Sequence, residues 1–330
     1  MTDIYFEFQY AKLYEQMENG VACQWTYQGP EGEVAHLFIK REVPQKVDGE
    51  TYFDLITPYG YGGPRVISVA EGYTKEDLTK AFERSFTQYC AENQIVSEFV
   101  RFYPLSDNGK DFAEVYNATL NRHTLGTNLK DYDDPVQAEF SKSCRKTIRG
   151  VLKQGVTFQM TQSPENLDEF IRIYYLNMER KQAEEFYFFE KSYFEDILRF
   201  FQDHVLLAEV KYEGKTIAAG LYFLTNNVIH AHLSGTDTEY LPLSPAYILK
   251  YGTALWGKEH GCSVIHYGGG VSSSTEDPLY CFKKKFAKNT EFPFYLGKKI
   301  WHVEAYQKLC QAAGVEPSGD FFPAYRAKHK

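Results

Sequence analysis

The stretch SPAYILKYGTALWGKEHGCSVIHYGGG, residues 244–270, decides the fold. Its first part predicts a helix over about 244–260. Ser244 carries a side chain suited to capping, and Pro245 suits the first helical position, where no amide hydrogen is needed. Tyr247, Tyr251 and Leu255 recur at i, i+4 and i+8, and Gly261 ends the pattern. A strand at 263–267 (SVIHY) follows at once. Upstream, the β-rich runs 204–212, 215–225 and 228–235 are separated by Glu213-Gly214 and Asn226-Asn227, which reads as an antiparallel meander. Strand, helix, strand through short connections is a crossover, so the strand at 263–267 is expected to lie parallel to its partner.

The first half of the chain shows the same order. Runs 21–28 and 32–42 flank a turn holding Gly29, Pro30, Glu31 and Gly32. The run 51–57 enters the loop PYGYGGP at 58–64, a helical stretch covers 75–92, and the strand-like 95–103 closes the unit. The expected fold class is therefore α/β: two tandem units, each a mixed, mostly antiparallel sheet with flanking helices. Between them a helix is predicted over 135–154, started by Asp134 and Pro135, with Val136, Phe140, Cys144, Ile148 and Leu152 as its apolar stripe. Helices over about 165–182 and 190–202 are joined through the aromatic stretch at 186–189. A strand near 290–296 and a helix near 301–313 come last.

Composition bounds the function. The 330 residues fit two domains at roughly 150 residues each. Lys plus Arg number 36 against 44 Asp plus Glu, and this net charge of −8 argues against a surface that grips nucleic acid or an anionic membrane over its whole extent. With 43% hydrophobic and 16% aromatic residues the chain buries a sizeable core. The six cysteines are scattered without a CxxC pair, which disfavours a disulfide framework or a structural zinc site. The opening MTDIYFEFQY has no basic region followed by an apolar stretch, and no run is long enough to span a bilayer, so a cytoplasmic location is expected.

Several segments stand out as candidate sites. The start of the helix at Ser244, Ala246 and Tyr247 offers amide groups to an anion, beyond the end of a strand where α/β proteins commonly bind ligands. Its ordinary reading is a capped helix. Gly268, Gly269 and Gly270 permit close backbone approach and lead to a short helix, begun by Asp277 and Pro278, that bears Lys283, Lys284 and Lys285 between Phe282 and Phe286. No GxxxxGK[ST] pattern is present. In PYGYGGP, Gly60, Gly62 and Gly63 loosen the backbone while Tyr59 and Tyr61 can stack or donate hydrogen bonds; function and a structural turn weigh equally there. Lys142, Arg145, Lys146, Arg149 and Lys153 share one helix face with no acid over 141–153, a surface for a phosphorylated ligand or an RNA backbone, or simply a solvated face. His230 and His232 lack a carboxylate or cysteine at ligand spacing, so no metal site is expected. GxSxG and HExxH are absent.

Taken in order, DLITPYGYGGP (54–64), FVRFYP (99–104), FSKSCRKTIRGVLKQGV (140–156), LSPAYIL (243–249), YGGG (267–270) and DPLYCFKKKF (277–286) resemble the Fem (FemABX-like) family of peptidyl and aminoacyl transferases and related GNAT-type N-acyltransferases. The resemblance implies two tandem GNAT-like domains: 1–134 on the acceptor side, 135–300 as linker helix and second, donor-side domain, and 301–330 as a C-terminal helix and tail packing back on the first. It implies that Lys283 stabilises the reacting carbonyl beside Phe282, that Tyr59, Tyr61 and Gly62 border the acceptor cleft, and that Arg145 and Arg149 belong to the basic linker helix. Ser244, Ala246, Tyr247, Gly268 and Gly269, in the segments that carry the resemblance, are expected to bind substrate. The chain carries Tyr103 where the peptidyl transferases commonly carry Asp, and Tyr103 becomes a candidate for receiving the amine proton, as does His266. Of the [QR]xxGx[GA] pattern of acetyl-CoA users, Leu241–Ala246 keeps only the final small residue.

The expected function is transfer of an aminoacyl or acetyl group to an amine of a cell-wall or sugar precursor, of the peptidoglycan-bridge type. No tightly bound cofactor is expected; the acyl donor, aminoacyl-tRNA or acetyl-CoA, is a co-substrate. The expected partners are a small-molecule or peptidoglycan-precursor acceptor and charged tRNA. The alternative is a non-catalytic ligand-binding protein that retains the double fold.

Overall fold

The structure, a computed structural model, describes residues 2–181, 188–319 and 321–327. Of the expected helix over 165–182 the last residue lies outside the described residues, as do Phe186 and Tyr187 of the aromatic stretch. Twelve strands run through the described residues: β1 (Gly20–Gly29), β2 (Gly32–Glu42), β3 (Phe53–Ile56), β4 (Arg65–Val69), β5 (Ile95–Arg101), β6 (Thr119–Asn128), β7 (Thr157–Gln162), β8 (Val205–Tyr212), β9 (Lys215–Thr225), β10 (Val228–Thr236), β11 (Val264–Gly268) and β12 (Glu291–Ile300). The chain forms two compact units, one of Tyr5–Asn121 with Pro293–Lys330, the other of Met1–Ile4 with Arg122–Phe292. The divisions fall at 121/122 and 292/293, where the sequence reading set them at 134/135 and 300/301.

In the first unit β1 and β2 form a hairpin with Trp25 opposite His36. The far edge of β2 is shared, its residues 39–42 pairing antiparallel with β3 and 32–35 with β4. The helix Lys75–Glu92 opens with a capping box, in which the Thr74 side chain accepts from the Asp77 amide and the Asp77 carboxylate accepts from the Thr74 amide. It delivers the chain to β5, parallel to β3. β12 pairs antiparallel with β5, Leu296 opposite Arg101. Phe82, Phe86, Phe102, Phe112 and Tyr116 are fully buried in this core. Each such ring contributes about 2–3 kcal/mol by leaving water. Among them sits a buried polar pair, His36 Nε2 to Glu98 Oε1 at 2.5 Å, with Trp301 Nε1 donating to the other Glu98 oxygen at 3.1 Å. The helix Val303–Ala312 and the following segment pack Tyr306, Leu309 and Tyr325 against Val43 and Val96.

In the second unit the strand order is β6-β11-β10-β9-β8-β7. β7 through β10 form an antiparallel series, and the helix Pro245–Glu259 carries the chain from β10 to β11, which lies parallel to it. β6 pairs antiparallel with β11. The helices Lys142–Lys153 and Pro245–Glu259 bury Cys144, Ile148, Val151, Ile248 and Leu249 in one core with Leu206, Val210, Ile217 and Ile265. The helix Asp168–Lys181 packs closely on β10. A Cβ added at Gly235 would lie 2.6 Å from the Ile173 carbonyl oxygen, so only glycine fits that approach.

Three readings are corrected. The helix expected over 135–154 is two helices, Pro135–Glu139 and Lys142–Lys153, broken where Phe140 and Ser141 are extended. Phe140 turns into the core edge-on to Phe286, with ring centroids 5.2 Å apart, while the Ser141 side chain caps the second helix by accepting from the Cys144 amide. Ser244 does not cap its helix: it follows the 3-10 turn Thr238–Leu243 in the left-handed region at φ 51°, and its side chain makes no cap bond. β4, β6 and β7 escaped the reading, β4 because it follows PYGYGGP without a turn signal of its own.

Candidate functional site

The ladder between β10 and β11 is short. It runs from Val228 opposite Val264 to His230 opposite His266, after which β10 continues along β9 and β11 along β6. The two strands therefore part at His230 and His266, and the helix joining them begins near that parting. At its start Pro245 occupies the first turn, the Ser244 amide donates to Leu241 O at 2.9 Å, and the Ser244 side chain makes no cap bond to the amides that follow. Such a helix start favours negative charge.

Beyond the parting, β11 slips register between His266 and Gly268, and Gly268 adopts φ 71°. The loop that follows is held from two sides. Arg122 Nη1 donates to Gly270 O at 2.7 Å and to Ser272 O at 3.0 Å. Asp277 accepts from the Val271 and Ser272 amides with one oxygen and from the Leu279 and Tyr280 amides with the other, at 2.9–3.1 Å. These amide hydrogen bonds, led by that from Ser272, hold the Asp277 carboxyl down at about 2. Inside this frame Lys283 Nζ donates to Gly269 O at 2.6 Å. A glycine carbonyl, a lysine ammonium and a helix start thus gather at the end of β11.

His266 lies beneath. It is 1% exposed, its Nε2 is hydrogen-bonded to Thr124 Oγ1 at 2.9 Å, and its ring stands 5.9 Å from that of His230. Burial first, then the charges of His230 and Lys283, push its pKa well below the usual imidazole value. His266 is thus a neutral ring at physiological pH. His230 Nε2 in turn meets the Asp3 carboxylate at 2.9 Å, and Thr225 donates to the same oxygen, which ties Met1–Ile4 into this unit. His232 pairs instead with the Tyr193 hydroxyl at 2.6 Å. Among the described residues no group of three or more His, Cys, Asp or Glu is arranged to hold a metal.

The three consecutive lysines do three different things. Lys283 reaches the glycine loop, Lys284 pairs with Glu291, and Lys285 donates to the Tyr247 hydroxyl at 3.0 Å. Phe282 and Phe286 both stand edge-on to Tyr247, at 5.5 and 5.3 Å between centroids, so Tyr247 and Phe282 share one aromatic wall at the helix start. On the basic helix, Lys142, Lys146, Arg149 and Lys153 are exposed. Arg145 differs: its guanidinium donates to the Gln137 carbonyl at 3.1 Å and to the Phe140 carbonyl, closing the end of the short helix before the break.

In the first unit the loop 58–64 is an aromatic corner. Tyr59 stacks on Tyr14 at 5.5 Å, and its carbonyl accepts from the Tyr10 hydroxyl at 2.8 Å. Tyr61 stands edge-on to Tyr5 and to Phe294, each at 5.3 Å. Gly60 adopts φ 90°, and a Cβ there would meet the Tyr5 ring at 2.7 Å. The Gly62 amide donates to Arg101 O, and its carbonyl accepts from Asn108 Nδ2, both at 2.8 Å. Asn108 Oδ1 also accepts from the Tyr103 amide at 3.2 Å, so one side chain holds Gly62 and Tyr103 together. Tyr103 itself is 7% exposed, its ring against Tyr5 and Phe6.

Among the expected site residues, Lys283, Gly268 and Gly269 thus come together, Phe282 joins Tyr247 beside Ser244 and Ala246, and Tyr59, Tyr61, Gly62 and Tyr103 share the other unit's loop. Asn108, Arg122 and Asp3, which hold these groups in place, were missed. Asn108 lies in SDNG, a turn signal after β5, whereas Arg122 and Asp3 sit in stretches with no pattern to mark them.

The fold is of the tandem GNAT-like kind, and part of the chain is similar in sequence to GNAT-type and Fem-type acyltransferases. Residues 138–277 match the acetyltransferase (GNAT) domain family. The UDP-N-acetylmuramoylpentapeptide-lysine N(6)-alanyltransferase of Weissella viridescens is 26% identical over 180 residues, which cover 52% of this chain and 50% of that one. The match thus spans about half the length of that curated relative. In fold, FemX is similar over 92% of this chain and 94% of its own, with a TM-score of 0.68 at 15% identity. The L-PGS structure from Bacillus licheniformis is similar over 89% and 92%, with 0.56 at 16%. A tandem GNAT protein from the clavulanic acid biosynthesis pathway is similar over 84% and 83%, with 0.50 at 10%.

Proposed function

We propose that this protein transfers an aminoacyl group from an activated ester to a primary amine of a peptidoglycan-precursor-like acceptor. One observation carries the reading: the Lys283 ammonium lies on the Gly269 carbonyl at the end of β11, at a loop pinned by Asp277 and Arg122. The acceptor amine attacks the acyl carbon, negative charge builds on its oxygen, and Lys283 turns from Gly269 to that oxygen. The carbon–oxygen ester bond then breaks, and the leaving hydroxyl takes the proton that the amine gives up. Phe282 and Tyr247 wall the acyl group, and the amide groups after Ser244 and Pro245, with Ala246, face the donor's anionic part. Juxtaposing two substrates supplies most of the rate.

The acceptor side is assigned to the first unit, with Tyr59, Tyr61 and Gly62 at the loop and the Tyr103 hydroxyl relaying the amine proton through water toward the leaving hydroxyl. The donor side is assigned to the second unit, with Arg149 and its exposed lysine neighbours along the phosphate backbone of a charged tRNA; Arg145 is occupied by carbonyls and supports the helix. No helix among the described residues is long and apolar enough to cross a membrane, which fits action on a precursor in the cytoplasm. A second reading, ligand binding without catalysis, is favoured by the hydrogen bond that already occupies Lys283. The test is mass spectrometry of UDP-N-acetylmuramoyl pentapeptide incubated with the protein and alanyl-tRNA, with acetyl-CoA in a parallel arm. An alanyl adduct supports the proposal, an acetyl adduct alone moves the donor to coenzyme A, and unmodified acceptor that nonetheless binds selects the second reading.

A further inference from the structure

Lys250 lies one turn into the helix Pro245–Glu259 and points into the face of its own sheet. Its Nζ stands 4.5 Å from the Tyr267 ring centroid and 5.6 Å from that of Tyr222. Tyr222 on β9 is opposite Ala231, the first residue of β10 past the ladder with β11, and Tyr267 follows His266, the last residue of that ladder on β11. The ammonium is thus held where the two strands part. Tyr267 is fixed there by the 2.7 Å hydrogen bond between its hydroxyl and Thr127 Oγ1. Among the described residues Lys250 has no ion pair and no hydrogen bond, only the two ring faces. The titratable groups facing it are the phenols of Tyr222 and Tyr267, both neutral at physiological pH because burial raises them. Ring faces attract a cation, but more weakly than a carboxylate or water does. Burial therefore brings Lys250 down to about 8, while the side chain stays partly exposed.

We propose that Lys250 is an acyl-accepting amine, a self-acylation site for activated esters and thioesters at the parting of β10 and β11. The neutral Nε attacks the carbonyl carbon and the bond to the leaving oxygen or sulfur breaks. The leaving group carries off the amine proton as an alcohol or thiol, and an amide remains on Lys250. No oxidant or further reactant is needed, and the assignment concerns this amine alone, so it stands apart from the transfer reaction proposed above.

The test labels the full chain with trace p-nitrophenyl acetate between pH 6.5 and 10. Labelling is then completed in denaturant with deuterated acetic anhydride, and the ratio is read lysine by lysine by mass spectrometry. At pH 7.5 a lysine of pKa near 8 has a neutral fraction on the order of 100-fold above that of an ordinary one. Lower basicity takes back part of that gain, so Lys250 is expected to label about tenfold faster than exposed Lys142 and Lys146, with its rate levelling above pH 8 while theirs still rise. Tyr267→Phe, which keeps the ring, should keep the profile, and Tyr267→Leu, which admits water, should move it toward that of the exposed lysines. Labelling of Lys250 no faster than Lys146, a profile that climbs with theirs to pH 10, or an unchanged profile in folded Tyr267→Leu overturns the proposal.

Discussion

At the scale of single residues, Lys283 and His266 carry the sharpest expectations. Removing one group that stabilises a developing oxyanion typically lowers turnover about 100- to 1,000-fold. Lys283→Met should lose that much kcat with little change in KM, because the contact forms in the transition state. Lys284→Met and Lys285→Met should keep most turnover, since those ammonium groups go to Glu291 and to the Tyr247 hydroxyl. Steady-state kinetics on the three variants decides it. His266 makes a prediction about acid. Its folded pKa lies well below the unfolded value, so as pH falls through about 6.5 the unfolded chain gains a proton that the native one refuses. Stability should then fall by up to about 1.4 kcal/mol per pH unit below that point. His266→Gln, which keeps a hydrogen bond for Thr124, should flatten the slope in urea titrations at pH 7, 6 and 5. Lys283 and the glycine loop were legible because FKKKF after YGGG is unusual in itself. His266 in SVIHY was legible as a strand residue and a candidate proton acceptor, but its burial and its neighbours come from other strands and from Asp3, which no local pattern announces.

At the scale of elements, the break at Phe140 and Ser141 shows how a true periodicity misleads. Phe140, Cys144 and Ile148 keep the four-residue spacing through the break, because both helices bury toward the same core. What the spacing conceals is Glu139, fully buried and accepting from the Asn289 amide at 2.8 Å and from the Thr290 hydroxyl, which pulls the first helix out of line. Ser141→Ala should therefore cost about 1 kcal/mol in chemical denaturation, the usual loss of an N-cap, whereas a residue inside one continuous helix would cost next to nothing. The basic face divides in the same way. Arg145→Gln should lower stability through its lost carbonyl contacts. Gln at Lys146 and Arg149 should leave stability alone and reduce the salt dependence of tRNA binding, measured by filter retention from 50 to 200 mM salt. Loss of salt dependence in Arg145→Gln alone would reverse these assignments. The crossover helix and its parallel strand were legible throughout, because turn pairs, Pro245 and Gly261 are local signals that tertiary packing left intact.

At the scale of the whole chain, the repeated order of elements was readable but the ownership of its ends was not. Strand β12 closes the sheet of the first unit beside β5, and the segment after it completes that core. Arg326 Nε meets the fully buried Asp54 carboxylate, and the Tyr325 hydroxyl bonds Ser97 Oγ at 2.7 Å. A fragment of residues 1–134 therefore leaves the β5 edge unpaired and Asp54 short of a partner. It should elute as aggregate and lack a cooperative thermal transition, and a monomeric fragment that melts sharply would show the first unit to be self-sufficient. The same discontinuity has a consequence for synthesis. About 170 residues of the second unit leave the ribosome between Asn121 and Pro293, which at 5–20 residues per second is roughly 10–35 s. Throughout that interval the older half of the nascent chain waits with an open strand edge, while the younger half acquires everything it needs in order of translation. The unit made first is thus the one finished last, and it is the natural client for a chaperone at the exit tunnel.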